Sequence, residues 1–125
     1  MADDDDDDCT LAKDAFKASG ALGMIHCVED GIGLMEYLSG SSPLPALILL
    51  DLNMPRKDGR KTLKELKSTP AFQDIPVVVF TTSREEKDKN YSRKMGANSF
   101  ITKPANFKDW VGIMKSLADI WLVTN

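Results

Sequence analysis

Three apolar runs in this chain each end in a residue able to touch the same ligand. LILL (Leu47–Leu50) leads into Asp51, IPVVVF (Ile75–Phe80) into Thr81-Thr82, and ANSFIT (Ala97–Thr102) into Lys103. A run of six carboxylates, Asp3–Asp8, lies near the start. Side-by-side carboxylates suit Mg²⁺, a hard cation that takes oxygen ligands, and without a cation their mutual repulsion is costly. A lysine and a hydroxyl nearby suit phosphoryl oxygens. Together these residue types describe a carboxylate nucleophile, a metal that neutralises phosphoryl charge, and donors that hold the transferred group. Asp51 is the candidate nucleophile.

The elements that would position them alternate. Unbroken apolar runs bounded by turn signals, such as Leu47–Leu50 with Pro55 and Gly59 beyond it, read as parallel strands buried on both faces. Open α/β sheets place their sites at the carboxyl ends of such strands. MIHCV (Met24–Val28) predicts a further short strand, β-branched Ile75–Thr82 a firm one, and Ala97–Pro104 another. Leu11, Ala12, Ala15 and Phe16 share a helical face that stops at Gly20, and the carboxylates ahead of it cap its amides and suit its positive end. A second helix carries Ile32, Leu34, Met35, Tyr37 and Leu38 and ends near Gly40; SSPLP follows as a loop. A third runs from about Arg60 to Ser68 with Leu63 and Leu66. The stretch SREEKDKNYSRKMG offers only Tyr91 and Met95 as apolar contacts, so its helix is expected to pack loosely. The last helix spans about Phe107 to Val123. Strand–helix alternation argues for a parallel sheet with right-handed crossovers and helices on both faces.

The totals set bounds. At 125 residues the chain is expected to be a single domain, 1–125, with no effector domain. No apolar run approaches the ~20 residues needed to span a bilayer and no signal peptide precedes the first charges, so the cytoplasm is the expected compartment and no membrane partner is expected. Asp3–Asp8 hold six of the 19 acidic residues, leaving 13 against 16 basic ones, a net +3 for the rest. That split lacks the clustered basic patch of a nucleic-acid surface, so none is expected as a partner. Cys9 and Cys27 are too few for a disulfide framework and lack metal-ligand spacing, and are read as reduced thiols. His26 and Cys27 read as packing residues.

The set ADDDD, LILLDLNMPRKDG, VVVFTTS and GANSFITKP resembles the receiver domain of two-component response regulators, across essentially the whole chain. The long loop before Leu47, the paired threonines and the tail with Trp110 and Trp121 are similar to the stand-alone regulators paired with bacterial phytochromes. The resemblance implies a flavodoxin-like, doubly wound α/β fold with a five-stranded parallel sheet in the order 2-1-3-4-5. It implies that Asp51 accepts a phosphoryl group from the phosphohistidine of a sensor histidine kinase or phosphotransfer protein. Asp4, Asp51 and the backbone carbonyl of Asn53 would bind Mg²⁺ directly, and Asp3 through a metal-bound water. This choice within the acidic run follows the family's register against Leu11 and Phe16; an acidic tail is the competing reading of Asp5–Asp8. Thr81 and Lys103 would hold the phosphoryl group, while Met54 and Thr82 would govern water access to it. The chain would then be a self-phosphorylating acceptor with slow autodephosphorylation, not a turnover enzyme.

The resemblance also implies a switch. Charge added at Asp51 draws Thr81 inward, Phe100 rotates into the vacated space, and the face formed by helix 4, strand 5 and helix 5 repacks. Phe100 fits plain core packing as well. On the last helix, Phe107, Val111, Met114, Ala118 and Trp121 form one stripe, and Trp110, Ile113, Leu117 and Ile120 a second. A sheet covers only the first, so the second predicts an exposed apolar patch and homodimerisation through helix 4–strand 5–helix 5.

Two other classes compete. A hydrolase of the haloacid-dehalogenase type also uses a strand-end aspartate, but needs a second aspartate where Asn53 stands. A pseudo-receiver would keep the fold and bind proteins without taking phosphate. One departure bears on all three: only Met1 and Ala2 precede the acidic pair, where the family carries four or five apolar residues of a central strand. Three lost Val or Ile residues would cost roughly 5–9 kcal/mol, comparable to a whole domain's ~5–15 kcal/mol. A start downstream of the full strand is the expected reason, against a stub that suffices or a partner chain in the slot.

Overall fold

The structure, a computed structural model, describes residues 1–41, 43–54 and 58–122. Ser42, Pro55 and Val123, which the sequence places in a loop, a turn and a helix end, lie outside the described residues. Among the described residues five helices and three strands follow in the order α1 (Asp6–Ala18), α2 (Gly31–Ser39), β1 (Ile48–Leu50), α3 (Gly59–Ser68), β2 (Val77–Thr81), α4 (Glu86–Lys94), β3 (Ser99–Thr102) and α5 (Phe107–Trp121). The strands are parallel and ordered β1-β2-β3, with Leu49 opposite Val78 and Val79 opposite Phe100.

The expected five strands survive as three strands and two single-residue bridges. Ala2 bridges Val28 on one side and Leu50 on the other, both in parallel. Its N–H donates to Leu49 O at 2.9 Å and its carbonyl accepts from Asp51 N at 3.0 Å. Across the other edge, Val28 N donates to Met1 O (2.9 Å) and Asp3 N to Val28 O (3.0 Å). The spatial order Val28–Ala2–β1–β2–β3 is therefore the 2-1-3-4-5 arrangement, carried at its centre by a one-residue stub. Met24–Val28 is a correction: within it only Val28 forms a bridge, to Ala2, and the residues before it turn to other contacts. Met24 stays exposed, and His26 stacks on Tyr37 with ring centroids 4.4 Å apart. Between this segment and Leu47–Leu49 lies an apolar cleft of about 540 Å³ walled by Phe16, Met114 and Trp121. Burial at its edge lowers the Met1 amine to about 6, while the amine donates to His26 O at 2.7 Å.

Every strand residue of β1 and β2 is buried, as the sequence expects of strands covered on both sides. Alternation splits them between two cores. Ile48, Leu50, Val77 and Val79 meet Leu34 and Leu38 of α2 and Leu63 and Leu66 of α3. Leu49, Val78 and Phe80 meet Ala12, Ala15 and Phe16 of α1 and Trp110, Met114 and Leu117 of α5.

Three expectations about packing are corrected. The second stripe of α5 is not an exposed patch: Trp110 and Leu117 are buried, Phe80 meets the Trp110 ring edge-on at 5.0 Å, and the indole N–H donates to Pro104 O. The helix is turned so that Trp110, Met114 and Leu117 face inward, leaving Phe107 of the first stripe exposed along with Ile120. Helix α4 is not loosely held, because a buried carboxylate, Asp88, anchors it to Arg60 of α3 by an ion pair of 2.9 Å. Cys9 and Cys27 are not free thiols but a disulfide, with Cα atoms 6.5 Å apart. The bridge at Val28 draws the preceding Cys27 against α1, a proximity that neither count nor spacing reveals.

The disulfide closes a loop over a separation of 18 residues, for which a contribution of about 2–4 kcal/mol is expected. Urea unfolding with and without reductant should show a loss of that size, and alkylation of the unreduced, unfolded protein should add nothing by intact mass.

Candidate functional site

The acidic run is ordered by its own hydrogen bonds. Asp5 is the N-cap of α1 and accepts from Asp7 N and Asp8 N at 2.9 and 3.1 Å. Asp6, Asp7 and Asp8 fill the first turn, where the helix dipole favours negative charge. The stretch is thus a helix start rather than a tail. Asp3, immediately before it, is buried and accepts from Asp5 N at 2.9 Å. Asp4 stands exposed beside it.

Asp51 leaves the carboxyl end of β1 with only 6% of its surface exposed. Its Oδ1 accepts from Asn53 N at 3.3 Å. Asp3, Asp4 and Asp51 each offer a carboxylate oxygen, and the three lie within 4.8 Å of one another. Behind them Lys103, following β3, extends a buried ammonium to Asp3 Oδ2 (2.6 Å), Asp8 Oδ2 (2.7 Å) and Asp51 Oδ2 (3.5 Å). Burial works against the charge on Lys103, but bonds to Asp3 and Asp8 and the field of Asp51 outweigh it and hold its pKa well above the ordinary lysine range. Burial raises Asp3 above the ordinary carboxylate range, a rise that Lys103 and the Asp5 N–H only partly offset.

In front of these groups is an open depression of about 500 Å³, lined by Asp4–Asp8, Asp51, Asn53, Thr82 and Lys103. Among its described lining residues Lys103 is the only base, so negative charge is in large excess. Hard oxygen donors in excess of their counter-charge fit a divalent cation. Asp3, Asp4 and Asp51 would hold it, with Asn53 at the rim.

The other sequence candidates divide. Thr81 is fully buried at the end of β2, and Thr82 lines the depression. Met54 packs against the core that holds Leu63 and Leu66 instead. Phe100 sits half-buried on β3 against that same core. Gly59 opens α3 hard against the phosphoacceptor candidate. Its N–H donates to Leu52 O at 3.0 Å, and an added Cβ would overlap the Asp51 carbonyl oxygen and stand 2.6 Å from Leu52 Cα. Asp8 was not among the sequence candidates, since six identical residues carry no phase. The signal lies in the N-cap: a helix capped at Asp5 turns Asp8 toward Lys103.

Residues 1–115 match the family described as "Response regulator receiver domain". Response regulator Rcp1 from Synechocystis sp. is 37% identical over 129 aligned positions, covering 99% of this chain and 88% of its own. The crystal structure of the phosphorylated cyanobacterial phytochrome response regulator RcpA superimposes with a TM-score of 0.89 at 39% identity, covering 99% of this chain and 92% of that one. The Mn²⁺-bound form of Rcp1 superimposes at 0.87 and 37% identity, over 99% and 93% of the two chains.

Removing the central ammonium leaves buried carboxylates unpaired, a loss of about 3–5 kcal/mol. Lys103→Met, which keeps the stem's packing, should lower the urea midpoint accordingly in EDTA. An added divalent cation should restore more stability to this variant than it adds to the wild type.

Proposed function

We propose that this chain, which belongs to the response regulator receiver family, takes a phosphoryl group onto Asp51. The donor is the phosphohistidine of a sensor histidine kinase or a phosphotransfer protein. Receivers are phosphoacceptors rather than turnover enzymes, so the product of interest is the acyl phosphate itself, lost by slow autodephosphorylation. One observation carries the reading: the Asp51 carboxylate ends a fully buried strand with two further carboxylates within 4.8 Å and an ammonium 3.5 Å away.

A carboxylate oxygen of Asp51 attacks phosphorus, the P–N bond of the phosphohistidine breaks, and its electron pair stays with the departing imidazole. Mg²⁺ is the cation assigned to Asp3, Asp4, Asp51 and the Asn53 carbonyl, where it supplies neutralisation of phosphoryl charge. Lys103, already 3.5 Å from Asp51, exchanges part of its hold on Asp8 for a phosphoryl oxygen. The Thr81 hydroxyl donates to another. Thr82, on the depression's lining, limits the approach of water.

Phosphorylation then reads out on α4, β3 and α5. Phe100 faces Val79 across the ladder and is only half-buried, so a rotation of its ring repacks that flank. β3 is the sheet's outer strand, and Phe107 and Ile120 of α5 are exposed. This flank is assigned to homodimerisation, and the compartment to the cytoplasm. No described helix is long and apolar enough to cross a membrane.

Incubation with Mg²⁺ and acetyl phosphate should add one phosphoryl group by intact mass, and Asp51→Asn should add none. A folded wild-type protein that gains nothing would instead be a pseudo-receiver, binding partners without phosphate.

A further inference from the structure

Behind the acidic depression, a second polar cluster joins the loop after Asp51 to the loop after Thr81. Arg60 Nε and Nη2 grip Asp88 Oδ1 and Oδ2 at 3.0 and 2.9 Å. The same Asp88 Oδ2 accepts from Ser83 Oγ at 2.6 Å. On the far side, Arg60 Nη1 lies 3.2 Å from Asp58 Oδ2 and reaches Leu52 O at 3.5 Å. Asp58 in turn caps α3 through Arg60 N at 2.7 Å. Ser83 N donates to Thr81 Oγ1 at 3.4 Å, and Ser83 O accepts from Thr102 Oγ1 at 3.2 Å. Tyr91 of α4 donates to Arg60 O at 3.2 Å.

The path runs without a break from the loop after Asp51, through Arg60 and Asp88, to Ser83 and the hydroxyl of Thr81. Asp88 is 3% exposed. A bidentate Arg–carboxylate pair with a third donor is strong and geometrically specific. Burial pushes the Asp88 carboxyl up, but the Ser83 and Arg60 bonds outweigh that and hold it below its ordinary value. Nothing in the phosphoryl chemistry itself uses these groups. Their effect is to tether the loop that follows Thr81 to the start of α3.

We propose that Arg60, Asp88 and Ser83 form a resting-state latch: positioning residues that hold the β2–α4 loop and the Thr81 hydroxyl in the unphosphorylated arrangement. The inference rests on the phosphoacceptor reading of Asp51. The latch adds free energy to the open state alone, so weakening it shifts the equilibrium toward the closed, phosphoryl-bound state. Ser83 is the selective point, because its removal spares the Arg60–Asp88 pair that anchors α4.

The test compares wild type, Ser83→Ala and Asp88→Asn in two measurements. The first is amide hydrogen exchange at residues 82–85; the second is affinity for beryllofluoride, a phosphoryl mimic, at saturating Mg²⁺. Ser83→Ala should fold as the wild type does, exchange faster in that loop only, bind Mg²⁺ alone unchanged, and bind beryllofluoride roughly fivefold tighter or more. Asp88→Asn should shift both further; if it fails to fold, Ser83→Ala decides. Unchanged loop exchange in Ser83→Ala overturns the latch. Faster exchange with equal or weaker beryllofluoride binding overturns it too, since a mere scaffold would behave that way. A wild type that binds no beryllofluoride overturns the phosphoacceptor reading and the latch with it, a result distinct from the two above, in which wild-type binding is intact.

Discussion

Carboxylates gathered into one small volume repel one another, and in this protein a single ammonium holds them in place. Lys103 touches Asp3, Asp8 and Asp51, residues from the start of the chain, the first turn of α1 and the end of β1. Without that centre the α1 N-terminus and the β1 loop would have reason to separate. With it, the site is poised but unbalanced: one positive charge faces several negative ones, and a further cation is attracted to the remainder. The same excess that makes the cluster costly as structure makes it useful as a binding site.

Getting those residues together depends on very little backbone. Ala2 bridges Val28 and Leu50 across the middle of the sheet, with Met1 O and Asp3 N making the bonds to Val28. The residue after it, Asp3, is therefore delivered to the carboxyl rim beside Asp51, the only place where its carboxylate meets both partners. The disulfide between Cys9 and Cys27 acts on the same weak seam, tying α1 to the segment that the stub holds by few hydrogen bonds. Packing on the opposite face, where α1 and α5 meet over Leu49, Val78 and Phe80, does the rest.

Much of this was legible in the residues. Apolar runs that stop at Asp51, Thr81 and Lys103 announce buried parallel strands and the rim where they end, and the match of four motifs specifies the chemistry. What stayed hidden depends on contacts distant in sequence or on rotation about an axis. Asp88 sits in a helix so charged that periodicity reads it as solvated; only Arg60, 28 positions earlier, makes it an anchor. The two apolar stripes of α5 are adjacent, and the helix faces the sheet between them, with Trp110, Met114 and Leu117 inward and Trp110 meeting Phe80, a rotation that spacing does not give. A strand of residues 24–28 was expected from composition, but a strand exists only where a neighbour offers ladder partners, and here Val28 alone forms a bridge.

The contact at Gly59 has an inheritance-level consequence. Any side chain there collides with the backbone of Asp51 and Leu52, so α3 can lie against the Asp51 loop only while that position stays bare. The aspartate, the loop and the opening of α3 are one indivisible cassette. A recombinant chimera that exchanged helices with a related domain would have to place its crossover outside this segment, before the strand or beyond the helix start, to leave the rim intact.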